Sequence, residues 1–207
     1  MPETAFLITA FASLFVIIDP IGLAPLFAAL TQGMTDGARR RIALRACLVA
    51  FGLLLLFAFF GEAVLGFIGI SMPAFRIAGG VLLFLTALDM LFQRRQARRK
   101  DTSEEEEHRD DPSVFPLAIP LIAGPGSIAT IILLIGQTED ALGLAAILGV
   151  LFAVILLVFL FMLTAGPMER FLGRVGIDVV TRLLGMLLAA LAVQFILDGL
   201  ASFGLGG

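Results

Sequence analysis

Long apolar stretches separated by short polar ones make up most of this chain. Six of them can cross a bilayer if a few embedded polar residues are allowed: residues 5–30, 42–68, 74–92, 114–135, 141–165 and 181–200. The runs 112–138 and 141–168 contain no charged residue, and each exceeds the roughly 20 apolar residues that cross about 30 Å of hydrocarbon. The pattern predicts an all-α membrane protein with six transmembrane helices.

Composition supports the bilayer as the surroundings of these helices. The chain of 207 residues is 59% hydrophobic and 15% charged, whereas soluble domains are about a quarter charged. A soluble core of this size cannot bury so much apolar surface, so we expect the excess to face lipid.

The basic residues predict the orientation. Of the 14 Lys and Arg residues, 13 lie in or beside the first, third and fifth loops, and the opposite side keeps only Arg76. Loops rich in Lys and Arg stay in the cytoplasm. We therefore predict a multi-pass protein with both termini outside the cytoplasm, which is the periplasm for the bacterial inner membrane that the resemblance described below implies.

Residues 93–113 form the one long polar stretch. It divides the chain into a first three-helix repeat (1–92), a flexible cytoplasmic connector (93–113) and a second three-helix repeat (114–207). The alternative for the connector is a regulatory or partner-binding segment, but a solvated linker accounts for its composition.

The two halves contain similar short sequence motifs in the same order. Asp19-Pro20-Ile21-Gly22 aligns with Gly124-Pro125-Gly126-Ser127 at an offset of 105 residues, and 65–70 matches 172–177 in four of six positions at an offset of 107. Because each half has an odd number of spans, the second copy must enter the membrane from the other side. We predict two inverted repeats, an architecture typical of secondary transporters; the alternative is a duplication that only enlarged a helical bundle.

Helix breakers occupy the middle of the first and fourth spans. Proline removes a backbone donor and glycine permits unwound dihedral angles, and a break at this depth must be satisfied by protein or by a water-filled cavity. Matched breaks in two halves are the best sequence indication of a binding site. The predicted substrate-binding residues are Asp19, Pro20, Gly22, Pro25, Gly124, Pro125, Gly126, Ser127 and Thr130. The alternative is a pair of proline kinks that serve packing.

These residue types suit a small zwitterion. Half-helix N-termini near Gly22 and Gly126 present N–H groups and a positive dipole end to a carboxylate, and the hydroxyls of Ser127 and Thr130 add donors. A charge at mid-membrane is costly, so Asp19 is a candidate to hold an ammonium group, a proton or a sodium ion. Its alternative role is to cap the following half-helix.

The sequence contains no motif that indicates an enzyme or a metal site. Cys47 and His108 are single residues of their types, and no His-Glu-x-x-His or Gly-x-Ser-x-Gly pattern occurs, so we expect no enzyme, no metal site and no cofactor. We also expect no nucleic-acid partner.

The segments 19–27 and 116–130, with Asp19-Pro20-Ile21-Gly22 and Gly124-Pro125-Gly126-Ser127 at their centres, resemble the MarC family of bacterial inner-membrane proteins. The resemblance covers nearly the whole chain and implies six spans. Some relatives are known as transporters of small neutral amino acids such as glycine and alanine. Asp19 departs from the family pattern, which often has Asn there.

The sequence therefore predicts a secondary transporter of small neutral amino acids that works by alternating access. Coupling to a proton or sodium gradient and assembly as a homo-oligomer are additional hypotheses. The alternatives are an exporter of another small metabolite or drug, and a non-transporting membrane scaffold or assembly factor.

Overall fold

The structure is a computed structural model that describes residues 4–92, 111–138 and 140–203. Within these ranges the chain forms seven helices and one irregular segment: α1 (Thr4–Ile18), α2 (Pro20–Leu30), α3 (Asp36–Ile68), α4 (Met72–Leu91), the irregular segment Ser113–Ile122, α5 (Pro125–Ile135), α6 (Ala141–Leu163) and α7 (Ala165–Ala201). Of the predicted connector, 93–110 lies outside the described residues.

The predicted spans are confirmed as helical segments long enough to cross a membrane. Five are Thr4–Leu30, which joins α1 and α2, Asp36–Ile68, Met72–Leu91, Ala141–Leu163 and Val175–Ala201. The irregular segment and α5, bent by 55° relative to each other, give a sixth when this bent pair is counted as one span. Many large apolar side chains are exposed, among them Phe59, Phe60 and Phe152, as expected of a surface in contact with lipid.

Two boundaries differ from the sequence prediction because helices continue past the apolar stretches. Helix α3 begins at Asp36 rather than at residue 42, since Thr35 accepts a hydrogen bond from the Ala38 N–H and caps the helix. The last span begins at Val175 rather than at residue 181. It follows a single break inside α7 at Gly173, which has φ 62°.

A tight turn reverses the chain between α3 and α4. Gly69 has φ 86°, and the N–H groups of Gly69 and Ile70 donate to the carbonyls of Gly66 and Leu65. This is the Schellman arrangement, which favours glycine because the left-handed conformation disfavours other residues. Ser71 then caps α4.

Helices α4 and α7 pack closely and run in opposite directions. A β-carbon on Gly80 would lie 2.8 Å from the Ala192 carbonyl oxygen, and one on Gly199 would lie 3.0 Å from the Pro73 carbonyl oxygen. The start of α4 thus meets the end of α7. Glycines at these positions let the backbones approach, as in other membrane helix pairs.

Helix α5 lies in the interior of the bundle. It contacts α1, α3, α4 and α6, and its residues from 129 to 134 are all buried. At the break that precedes α5, Ile122, Ala123 and Gly124 are buried, whereas Pro120 and Pro125 are exposed. Protein therefore covers part of the irregular backbone, which a membrane protein tolerates where it is buried in protein or lines a water-filled cavity.

An exposed ion pair links the two halves. Arg45 of α3 contacts Asp111, whose carboxylate also accepts the Ser113 N–H at 3.0 Å. Hydrogen bonding from Ser113, together with the charge and hydrogen bond of Arg45, lowers the pKa of Asp111 below its ordinary value. The side chains are 59% and 42% exposed, so solvent screens the pair.

Candidate functional site

The first break is confirmed at Asp19. This residue has φ 56° and ψ 65°, α1 ends before it and α2 begins after it at Pro20. Proline fits the first helical position because its missing N–H would have no partner there, and Asp is among the few residues that tolerate the left-handed region. The side chain is only 1% exposed.

Asp19 caps α2, as the alternative reading of its role predicted. Its Oδ1 accepts the Gly22 N–H at 3.0 Å. A β-carbon on Gly22 would lie 2.8 Å from Asp19 Cγ and would collide with Oδ2, so the carboxylate occupies the space that glycine leaves open. The cap role does not exclude a ligand role, because a carboxylate has more acceptor sites than one amide uses.

The second break is longer than the sequence predicted. Phe115 and Ile119, each before a proline, have extended backbones, and the peptide bonds Phe115–Pro116 and Ile119–Pro120 are cis. The Ala123 N–H donates to the Ala118 carbonyl, five residues earlier rather than four. The irregular backbone thus begins at residue 113 rather than at 119, where the predicted run of helix breakers in this span starts. The two prolines cannot donate backbone hydrogen bonds, which accounts for the difference.

Ser127 fixes the end of this segment. Its Oγ accepts the Gly124 N–H at 2.9 Å and donates to the Ile122 carbonyl at 2.7 Å. A β-carbon on Gly124 would collide with the Pro120 carbonyl oxygen, so the turn requires glycine. The sequence predicted that the Ser127 hydroxyl donates to a ligand. In the structure it donates to the backbone carbonyl of Ile122 instead.

At both breaks the residue before the helix and the third helical residue are joined by a hydrogen bond, but the side chain that accepts it belongs to the first of these residues at one break and to the second at the other. At the first, the residue before the helix has the polar side chain (Asp19) and the third helical residue is Gly22. At the second, the residue before the helix is Gly124 and the third helical residue is Ser127. In α5, the N–H groups of Gly126 and Ser127 belong to the first turn, which has no acceptor within the helix. In α2, Asp19 already takes the Gly22 N–H.

The structure brings the two breaks together. A β-carbon on Gly126 would lie 2.7 Å from Ile17 Cδ1 and 3.6 Å from Leu83 Cδ2. The end of α1, two residues before Asp19, is therefore in contact with the start of α5. Close approach at Gly126 explains why no side chain is present there.

Two buried hydroxyls lie one helical turn from this contact. Thr130, four residues after Gly126, is fully buried, and Ser13, four residues before Ile17, is buried too. Neither hydroxyl has a hydrogen-bond partner among the described residues. A buried polar group in this condition costs about 1–3 kcal/mol. Sequence reasoning missed Ser13, although it is the one polar residue between Thr9 and Asp19.

Pro25 is not at the break. It lies inside α2, which continues to Leu30, five residues beyond Pro20. Its ring removes one hydrogen bond from the helix interior.

Comparison with known proteins gives a consistent result. The family model described as MarC family integral membrane protein matches residues 4–203. The chain is 40% identical to a UPF0056 membrane protein of Archaeoglobus fulgidus, over 95% of this chain and 93% of that protein. It is 37% identical to the UPF0056 membrane protein YvbG of Bacillus subtilis, over 95% of this chain and 94% of that protein. No solved structure matches. The chain belongs to the MarC family of integral membrane proteins.

Proposed function

We propose that this protein is a secondary transporter of small neutral amino acids, with its substrate site between the two helix breaks. One observation carries the proposal: two breaks at equivalent positions of the two halves, at Asp19 and Gly124, meet inside the bundle through Ile17 and Gly126. Matched unwound helices near the middle of the membrane are typical of the substrate sites of secondary transporters.

The groups at the breaks have the chemistry of a zwitterion site. The first-turn N–H groups of Gly126 and Ser127, at the positive end of α5, suit a carboxylate. Asp19 supplies the negative charge for an ammonium group. The buried hydroxyls of Thr130 and Ser13 lack partners, and a bound zwitterion would supply them.

The structure is closed at this site, which agrees with alternating access. Asp19, Ser127 and Thr130 are at most 2% exposed, so a solute reaches them only if helices move. We propose that the two halves are inverted repeats that rock against each other. The antiparallel packing of α4 on α7, the third spans of the two halves, supports this arrangement, since inversion reverses the direction of equivalent helices.

The proposal extends to the cellular location. The loops rich in arginine would face the cytoplasm and both termini the periplasm of a bacterial inner membrane. Coupling to a proton or sodium gradient would drive transport, with Asp19 the candidate carrier of the coupling charge. No catalytic reaction, cofactor or metal forms part of the proposal.

Flux of labelled glycine or alanine into proteoliposomes, with and without an imposed proton or sodium gradient, tests the function. We expect uptake by the unmodified protein and its loss in Gly126→Leu, which places a side chain against Ile17. Gly52→Leu is the matched control, because Gly52 is exposed on α3 with open space around it.

Absence of flux with every small zwitterion would contradict the proposal. A thermal-shift panel then separates the alternatives, because a ligand stabilises only the protein that binds it. Stabilisation by another metabolite or a drug would indicate an exporter of that compound. A protein that no compound stabilises, and whose cellular phenotype survives Gly126→Leu, would be a scaffold.

A further inference from the structure

A cavity lies apart from the helix breaks, beside the first loop. It has a volume of about 200 Å³ and lies between the end of α2, the start of α3 and the end of α6. We refer to it as the vestibule; its lining residues are Phe27, Asp36, Arg39, Arg40, Met162 and Leu163.

The vestibule combines three kinds of surface. Arg39 and Arg40 supply two guanidinium groups, and the guanidinium carbon of Arg39 lies 5.7 Å from the centre of the Phe27 ring. Asp36 supplies a carboxylate. Phe27, which is 1% exposed, forms an apolar side with Met162 and Leu163. The cavity also opens at the N-terminus of the 33-residue helix α3, whose dipole adds positive potential.

We propose that the vestibule is a loading site for the same small neutral amino acids, which rests on the proposed transport function. A guanidinium pair binds the substrate carboxylate, Asp36 binds its ammonium group, and the apolar side receives a short side chain. The volume is below the roughly 300–1,000 Å³ of pockets for drug-sized ligands, so a small solute fits it best.

The position of the vestibule supports a loading role. Phe27 lies on α2, the half-helix that begins at the first break, seven residues beyond Pro20. At 1.5 Å per residue the vestibule is about 10 Å from the break along this helix. Phe27 is buried in the wall of the vestibule, and the Arg39 guanidinium lies over its ring. A substrate held in the vestibule therefore lies against the half-helix that begins at the first break, with Phe27 in the lining of the cavity.

Initial rates of glycine and alanine transport, measured in inside-out and right-side-out membrane vesicles, test the loading site. We expect Arg39→Gln and Asp36→Asn to raise KM about tenfold to a hundredfold, the loss of one charge-assisted hydrogen bond. The rise should occur only when substrate is offered on the face of the first loop, with kcat unchanged. Arg41→Gln, an exposed neighbour outside the cavity lining, is the matched control.

Arg39→Lys guards against a folding defect, because it keeps the charge; its KM should lie between those of the unmodified protein and Arg39→Gln. Variants that match Arg41→Gln, or that change KM equally on both faces, would overturn the loading site and leave the transport function intact. Absence of flux in the unmodified protein would overturn both.

Proteoliposomes with and without phosphatidylglycerol distinguish a lipid headgroup from the substrate. The effect of Arg39→Gln on KM should be the same in both. An effect confined to vesicles that contain the anionic lipid would mean that the guanidinium pair binds a phosphate headgroup, and would overturn the proposal.

Discussion

Ser127 and Thr130 are two buried hydroxyl residues one turn apart on α5, and the structure predicts opposite consequences when each hydroxyl is removed. Ser127 links the Gly124 N–H to the Ile122 carbonyl, whereas Thr130 has no partner among the described residues. Both side chains are at most 2% exposed, so water cannot replace a lost partner. The pair therefore separates a hydroxyl that supports the backbone from one available to a ligand.

The expected magnitudes follow from the number of groups left unsatisfied. Ser127→Ala leaves one buried N–H without its acceptor and one carbonyl without its donor. At about 1–3 kcal/mol for each group, the loss of unfolding free energy should be about 2–4 kcal/mol after partial relaxation. Thr130→Val has nearly the same shape and removes only a hydroxyl without a partner, so stability should stay within about 1 kcal/mol or increase.

Reversible unfolding in mixed micelles of a mild detergent and sodium dodecyl sulfate measures these changes, and glycine flux is measured on the same preparations. Thr130→Val should reduce transport severalfold while stability is retained. If Thr130→Val destabilised the protein as much as Ser127→Ala, the hydrogen-bond assignment would be wrong. If Thr130→Val transported normally, Thr130 would not contact the substrate.

Three further predictions concern other parts of the fold. Gly22→Ala should lower the unfolding free energy by about 1–3 kcal/mol, because its β-carbon collides with the Asp19 carboxylate; the same change in an Asp19→Gly background should cost less, as a double-mutant cycle would show. Gly80→Ala should destabilise the contact of α4 with α7 by a similar amount, whereas Gly52→Ala, in open space on α3, should be neutral or stabilising by up to about 1 kcal/mol. Equal effects of these two glycine changes would contradict the packing. Because the pKa of Asp111 is lowered in the folded protein, its contribution is present above the ordinary Asp value and is lost as pH falls through the lowered pKa. Asp111→Asn should therefore change stability by less than about 1 kcal/mol at pH 7 and reduce its dependence on pH in the acid range; an unchanged acid profile would show that the ion pair contributes nothing.

The sequence alone determined the membrane class, the approximate spans and the helix breakers at Pro20 and Pro125, but not the start of the second break at residue 113. Apolar runs of this length are typical of transmembrane helices. Pro20 and Pro125 cannot donate a backbone hydrogen bond, so a helix that reaches them must change its hydrogen bonding. The offset of 105 residues between Asp19 and Gly124 was also visible in the sequence, because it depends only on the order of residues. These are local properties.

Tertiary structure decided which groups meet and which are already engaged. No pattern in the sequence shows that Gly126 packs on Ile17, because the contact depends on how α1 and α5 cross. In the sequence, Ser127 and Thr130 are equivalent hydroxyl residues on one helix face. In the structure, Ser127 forms hydrogen bonds with the turn at Gly124, whereas Thr130 has no partner among the described residues. The vestibule at Phe27 and Arg39 brings the end of α6 against α2 and α3, more than 90 residues earlier in the chain. Contacts of this kind follow from packing, which apolar periodicity and helix breakers constrain only weakly.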